Sequence, residues 1–207
     1  MVSVRRVERP TLGETAPSIH RRPEECTMEP IRRVITGHDV DGRAVVVDDG
    51  PVEPVTLSIL PGFETIELWH TDDTPAMPDQ LGSPGVDHYF PPMGGTVFRI
   101  ITFPPESDGA PSPELDLVAG LEEAQAKVPE LVARLEPDHP GMHTTDTVDY
   151  AVVLEGEVVL ELDDGATTTV RPGTVVVQRG TRHGWRNLTD RPARIAFILV
   201  GAVPAAL

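Results

Sequence analysis

The chain has 207 residues, enough for one domain with an extension or for two small domains. Seventeen Lys and Arg residues against 33 Asp and Glu residues give a formal net charge of −16 at pH 7. Such an acidic surface repels phosphate backbones and anionic lipid headgroups, so we expect neither a nucleic-acid nor a membrane partner. The single cysteine, Cys26, excludes an internal disulfide, and no apolar run is long enough to span a bilayer. These features predict a cytoplasmic, soluble protein.

The first half of the chain changes character near residue 30. Residues 1–29 are polar, rich in Arg and Pro, and show no sustained hydrophobic period. This composition predicts an N-terminal arm or a flexible leader. Residues 30–103 contain Val- and Ile-rich runs separated by turn signals such as HDVDG and DDGP, the pattern of antiparallel strands. We interpret them as a β extension that either widens the sheets of a barrel or forms a degenerate partner lobe.

Residues 104–139 form an acidic segment with a helical period. Leu115, Val118 and Leu121 recur at helical spacing, and a second apolar run follows Pro129. Because proline interrupts a helix, we expect two short helices. Their role is either to cover one side of a sheet as a solvated insert or to form a mobile lid over a pocket.

Residues 140–207 consist of short apolar runs and turns almost throughout. The predicted strands are Val148–Leu154, Val158–Leu162, Thr167–Val170, Thr174–Gln178, His183–Asn187 and Arg194–Val200. Short strands at a regular spacing predict an all-β sandwich or barrel, so this segment is the expected barrel core.

Two segments of this core carry polar residues with possible chemistry: GMHTTDTVDYAVVLEGE and RPGTVVVQRGTRHGWRN. Alternate residues of a strand share one side, so His143, Thr145 and Asp149 lie on one face of the first segment. His183 and Trp185 likewise share a face of the second segment. If the two faces meet inside a barrel, His143, Asp149 and His183 converge.

Two imidazoles and one carboxylate form a facial set that suits Fe(II), and Zn²⁺, Mn²⁺ or Ni²⁺ accept the same ligands. We therefore predict a divalent metal ion held by His143, Asp149 and His183, which are also the predicted catalytic residues. Thr145 is a poor ligand at neutral pH and is expected to hydrogen-bond a bound water or the substrate. Two alternatives stay open: a metal-free His143–Asp149 pair, in which the carboxylate raises the histidine pKa, and a purely structural role.

Two more residues close to His183 are candidates for contact with a substrate. Arg182 has a planar guanidinium that suits a carboxylate or enolic oxygen, although the arginines of this segment could equally pair with acids on an outer face. Trp185 could stack on a planar ligand or pack in the core.

The same two segments resemble the paired motifs of the cupin superfamily. His143 and Gly156 match the first His and the final Gly of the first motif, whereas Thr145 stands at the second His and Asp149 at the Glu. The second motif is matched at its Gly, His and Asn by Gly180, His183 and Asn187.

This resemblance covers about residues 140–200. The two segments also resemble those of a subgroup of cupins often associated with secondary metabolism. The resemblance implies an all-β double-stranded β-helix, or jelly roll, here with extra N-terminal strands and a short helical insert. It also contributes to the expectation of a homodimer, joined through sheet edges or the N-terminal arm, because long Val-rich edge strands need covering.

Three functions are compatible with these residues, and the fold does not decide among them. The first is a metal-dependent enzyme that acts on a small keto, enol or carboxylate metabolite of polyketide-like type by Lewis-acid and acid/base chemistry. Its reaction would be a cyclisation, isomerisation, dehydration or decarboxylation. The second is an Fe(II)-dependent dioxygenase, and the third is a protein that binds a small ligand without chemistry. The sequence favours the first narrowly over the second.

Overall fold

The computed structural model describes residues 28–75 and 88–203, in which strands predominate. The predicted N-terminal arm lies outside these residues except for its last two positions. The strands are β1 (Arg32–His38), β2 (Ala44–Pro51), β3 (Val55–Leu57), β4 (Leu60–Thr71), β5 (Thr96–Phe103), β6 (Thr147–Glu155), β7 (Val158–Glu161), β8 (Thr167–Val170), β9 (Val175–Arg179), β10 (Gly184–Arg186) and β11 (Ala193–Gly201). All six strands predicted within residues 140–207 are present, with ends shifted by at most one residue.

The strands form two sheets and a separate hairpin. The large sheet has the order β3-β4-β5-β11-β6-β9, the small sheet the order β10-β7-β8, and β1 pairs with β2 alone. Every strand pair is antiparallel. The strands β3, β4 and β5 therefore widen the large sheet of the barrel, which was one of the two arrangements expected for the extension.

The hydrophobic core lies between the two sheets and is mostly aliphatic. Ala151, Val153 and Ile195 of the large sheet pack in one cluster with Val158 and Val170 of the small sheet. The predicted all-β jelly roll is thereby confirmed. A second cluster on the outer face of the large sheet is built from its aliphatic side chains and is covered by residues that flank the β1–β2 hairpin.

Alternation along β6 and β9 decides which side chains enter the barrel. In β6 the odd-numbered residues from 147 to 153 are buried, whereas Tyr150 is exposed. In β9, Val175 and Val177 are exposed, whereas Val176 packs against the core and Gln178 is buried. Both strands thus present one face to the barrel interior, as the alternation in the sequence predicts.

The helices α1 (Leu117–Lys127) and α2 (Pro129–Arg134) lie within the acidic segment. The Asp116 side chain caps α1 by accepting hydrogen bonds from two backbone N–H groups, and Pro129 occupies the first turn of α2, where its missing N–H is not needed. Ala124 of α1 packs in one buried cluster with Leu57 of β3, so the helices cover one end of the large sheet. Within the described residues, no helix combines the length and the apolar character needed to cross a membrane.

Candidate functional site

His143 and His183 lie opposite each other just beyond the β6–β9 pair, before β6 begins and after β9 ends. Their backbones form an isolated antiparallel bridge, with N–H to carbonyl distances of 2.9 and 3.0 Å. The two ring centroids are 4.4 Å apart and the ring planes are inclined by 52°. The structure therefore brings together the two histidines whose convergence was predicted on the condition that the faces of the two segments meet.

The hydrogen bonds of both rings leave one nitrogen of each available to a ligand. The Nδ1 atom of His143 lies 3.1 Å from the carbonyl oxygen of Gly141, and that of His183 lies 2.8 Å from the carbonyl oxygen of Thr181. A carbonyl oxygen only accepts, so Nδ1 carries the proton and Nε2 keeps its lone pair in the neutral ring. Metal-binding histidines are oriented in this way by a hydrogen bond from the other ring nitrogen.

Burial keeps both rings neutral. Desolvation lowers the pKa of His143, and desolvation together with the neighbouring His143 ring lowers the pKa of His183 to about 4. At neutral pH, no proton competes for the Nε2 lone pairs. As neutral imidazoles, the two residues fit the requirements of a divalent metal ion.

Asp149 lies further along β6, opposite Gln178 of β9, and is buried. Burial raises the pKa of its carboxyl group, against the opposite influence of Thr147 and Arg99. Among the described residues, no group of three or more His, Cys, Asp or Glu side chains is placed to hold a metal ion. The predicted ligand set is therefore present as a histidine pair and a separate carboxylate, which is one methylene shorter than the glutamate of the cupin motif.

The metal-free alternative required Asp149 to raise the pKa of His143. The pKa of His143 is instead lowered, because burial outweighs the attraction of a carboxylate, and the carboxylate that acts on the ring is that of Glu136. Asp149 is therefore not among the groups that shift the pKa of His143.

Two of the three predicted substrate contacts face the barrel interior. Thr145 is buried and accepts a hydrogen bond of 2.8 Å from the hydroxyl of Thr147. Trp185 lies with its ring centroid 6.2 Å from that of His183 and 5.6 Å from that of Phe197, so it packs against the core beside the histidine pair.

Arg182, the third predicted contact, has its guanidinium bound by two carboxylates. Its Nε and Nη2 atoms donate to Glu136 at 2.7 and 2.6 Å, and its Nη1 atom donates to Asp163 at 2.9 Å. Arg186 is likewise paired with Glu161 at 2.8 Å. Both arginines are therefore paired with acidic side chains, as one of the two interpretations of this segment expected.

A buried polar cluster on β4 and β5 was not anticipated from the sequence. Glu67 and Arg99 are paired across the two strands, with 3.2 Å between Oε2 and Nε. The Thr65 hydroxyl donates to Glu67 Oε1 at 2.6 Å. The Arg99 guanidinium lies 3.6 Å from the ring centroid of Tyr89 and donates to the Tyr89 carbonyl. The alternation of TVFRIITF places Arg99 on the same side as Val97, so the sequence could have indicated that Arg99 is buried.

Comparisons with known proteins identify the family of this chain. The family model described as a cupin domain matches residues 131–200. The cupin-domain-containing oxidoreductase srdB of Neurospora crassa is 30% identical over 182 residues, which cover 83% of this chain and 74% of that protein. This chain therefore belongs to the cupin family.

Two further similarities cover different lengths of the chain. Phomopsin biosynthesis cluster protein C' of Diaporthe leptostromiformis is 42% identical over 78 residues, which are 35% of this chain and 41% of that protein. Over this and two similar biosynthesis-cluster relatives, the chain spans only 41–44% of their length. The solved cupin domain of Cnp3 from Schizosaccharomyces pombe has a TM-score of 0.43 at 8% identity and covers 82% of this chain and 87% of its own.

Proposed function

We propose that this chain is a metal-dependent cupin enzyme that acts on a small oxygenated metabolite of polyketide-like type. The reaction would be a cyclisation, isomerisation, dehydration or decarboxylation. The observation that carries the proposal is the pair of neutral imidazoles of the half-buried His143 and the buried His183, each held by a backbone carbonyl. A divalent ion bound there supplies Lewis-acid polarisation of a substrate carbonyl or enolate oxygen.

In this proposal, His143 and His183 hold the divalent ion and fix its position in the barrel. Because each Nδ1–H is fixed on a carbonyl oxygen, each ring presents Nε2 in one orientation and loses little freedom when it takes up a ligand. Trp185 beside His183 excludes water from that side and offers an aromatic edge or face to a planar substrate. Asp149 is the proposed third ligand, and its carboxylate would have to approach the pair for that role.

Asp149 is also the proposed acid/base group. Because burial raises the pKa of its carboxyl group, Asp149 holds a proton more readily than an exposed aspartate does. Its Oδ1 atom has no hydrogen-bond partner in the described part of the chain, so it can take a proton from a substrate carbon or return one.

A second candidate function, an Fe(II)-dependent oxygenase, is favoured by one observation. The relative that aligns over 83% of this chain is named an oxidoreductase. Two imidazoles and a carboxylate with open positions are also the ligand type of non-haem iron oxygenases. The two candidates differ in whether turnover needs dioxygen.

The exchange of α-protons of cyclohexanone into D₂O, followed by NMR under nitrogen with Zn²⁺- or Mn²⁺-loaded protein, tests the first candidate. We expect the wild-type chain to accelerate exchange and Asp149→Asn to slow it by about 10²–10⁴-fold, the usual contribution of a general base. The exposed Asp190→Asn is the matched control and should behave as wild type. Exchange at the background rate in the wild type, with dioxygen uptake by the Fe(II)-loaded protein, would favour the oxygenase instead.

A further inference from the structure

Gln178 lies near the C-terminal end of β9, and its side-chain amide is buried. It is 4% exposed, and neither its Oε1 nor its Nε2 atom has a hydrogen-bond partner in residues 28–75 and 88–203. Its neighbours in the alternation show where it points: Val177 is 55% exposed on the outer face, whereas Val176 packs on the core. The side chain is therefore directed into the barrel with a free donor and a free acceptor.

The residue opposite Gln178 also has a buried polar atom without a hydrogen-bond partner in the described residues. Asp149 is its cross-strand partner on β6, is also 4% exposed, and has no partner for Oδ1 among the described residues. Directly opposed residues of an antiparallel pair have side chains close enough to contact the same small group. Buried polar atoms in native proteins are nearly always paired, so two adjacent side chains with unpaired atoms point to a ligand that pairs them.

The charges around these two residues limit what that ligand can be. Arg99, the cation that acts on Asp149, is already paired with Glu67 and stacked on Tyr89. A carboxylate placed beside Gln178 would meet the acidic side chain of Asp149, and the arginine that acts on Asp149 already has its charge offset by Glu67. A neutral group with a donor and an acceptor side by side meets no such repulsion.

We propose that Gln178 and Asp149 form a specificity subsite for a neutral planar group that presents an acceptor beside a donor, as a lactam or an enolised 1,3-dicarbonyl compound does. The Nε2 atom of Gln178 donates to the ligand oxygen, and its Oε1 atom accepts from the ligand N–H or O–H. This inference rests on the proposed function in one respect, that the ligand is the substrate. It narrows the substrate class to keto–enol or lactam compounds and away from carboxylates.

The first test needs no ligand. In Gln178→Leu, an apolar side chain of similar size replaces an amide with two unpaired polar atoms, so we expect the thermal midpoint of the apo protein to rise. Gln125→Leu, on the exposed side of α1, is the matched control and should leave the midpoint unchanged. A lower midpoint in Gln178→Leu would overturn the proposal, because it would show that the amide stabilises the fold itself.

The second test measures binding of 2-pyridone and benzoate by calorimetry in the presence of EDTA. We expect the wild type and Gln125→Leu to bind 2-pyridone about tenfold or more tightly than benzoate, and Gln178→Leu to lose about tenfold or more of the 2-pyridone affinity. Equal affinities for the two probes, no binding of 2-pyridone, or unchanged binding in Gln178→Leu would overturn the proposal. Because EDTA removes metal, these outcomes are independent of whether His143 and His183 bind an ion.

Discussion

Arg99→Met is expected to lower the free energy of unfolding by about 3–5 kcal/mol, because it leaves the Glu67 carboxylate buried without its cation. The side chains of Arg99 and Glu67 are only 2% and 9% exposed, and they face each other across neighbouring strands. A typical domain is stable by only about 5–15 kcal/mol, so this variant should melt far below the wild type. Urea unfolding measures the loss.

Two further variants separate the buried charge from the general effect of losing an arginine. Arg32→Met removes one partner of the pair with Asp49, in which the two side chains approach to 2.6 Å but lie at the surface, and should lower the free energy of unfolding far less than Arg99→Met does. The double variant Glu67→Gln/Arg99→Met removes both charges and should recover part of the loss. If Arg99→Met cost no more than Arg32→Met, or if the double variant were no more stable than Arg99→Met, the pair would not have the stabilising role that its burial indicates.

The free energy of unfolding of the apo protein is expected to fall as the pH is lowered from about 6.5 to about 4. The pKa of His183 is about 4 in the folded chain, whereas an unperturbed histidine titrates near 6.5, so the unfolded state binds more protons between these values. Stability therefore rises with pH across this window and is constant above it as far as His183 is concerned. The full change from this residue is on the order of 3 kcal/mol.

Other groups modify this profile in known directions. The lowered pKa of His143 acts in the same direction as His183, whereas Asp149, whose pKa is raised, contributes stability that is lost as the pH rises. Urea unfolding in EDTA at a series of pH values should show that His183→Gln flattens the slope. The exposed His38→Gln is the control and should retain it. An unchanged slope in His183→Gln would show that this ring is not held neutral by burial.

The strands and the histidine pair could be predicted from the sequence because they depend on local signals. Turn residues mark the ends of the strands in the barrel core, and alternation alone places His143 and His183 on interior faces. The same reasoning predicted that Pro129 would begin or divide a helix, since that effect is confined to its own turn. The strand ends and the interior faces could be predicted without knowing which strands pair, whereas the meeting of the two histidines was predicted only on the condition that the two faces meet inside the barrel.

The polar cluster and the position of Asp149 depend instead on register and on distance. Glu67 and Arg99 meet only because β4 pairs with β5, a strand that is distant in the sequence, with a register shift immediately after Glu67. Alternation correctly placed Asp149 on the face of His143, but it contains no measure of how far apart the two side chains lie. Gln178 was predicted only as the last residue of a strand, and strand prediction does not tell whether a buried amide finds hydrogen-bond partners, so its unpaired amide was not foreseen.

Metal analysis of the untagged protein tests the central claim most directly. The protein would be purified without chelator and compared with His143→Ala/His183→Ala, with the exposed Gln125→Leu as the control. We expect a near-stoichiometric divalent metal in the wild type and in Gln125→Leu, and its loss in the double histidine variant. Equal metal contents in all three proteins, or no metal in any of them after incubation with Fe(II), Zn²⁺, Mn²⁺ and Ni²⁺, would contradict the assignment of His143 and His183 as ligands.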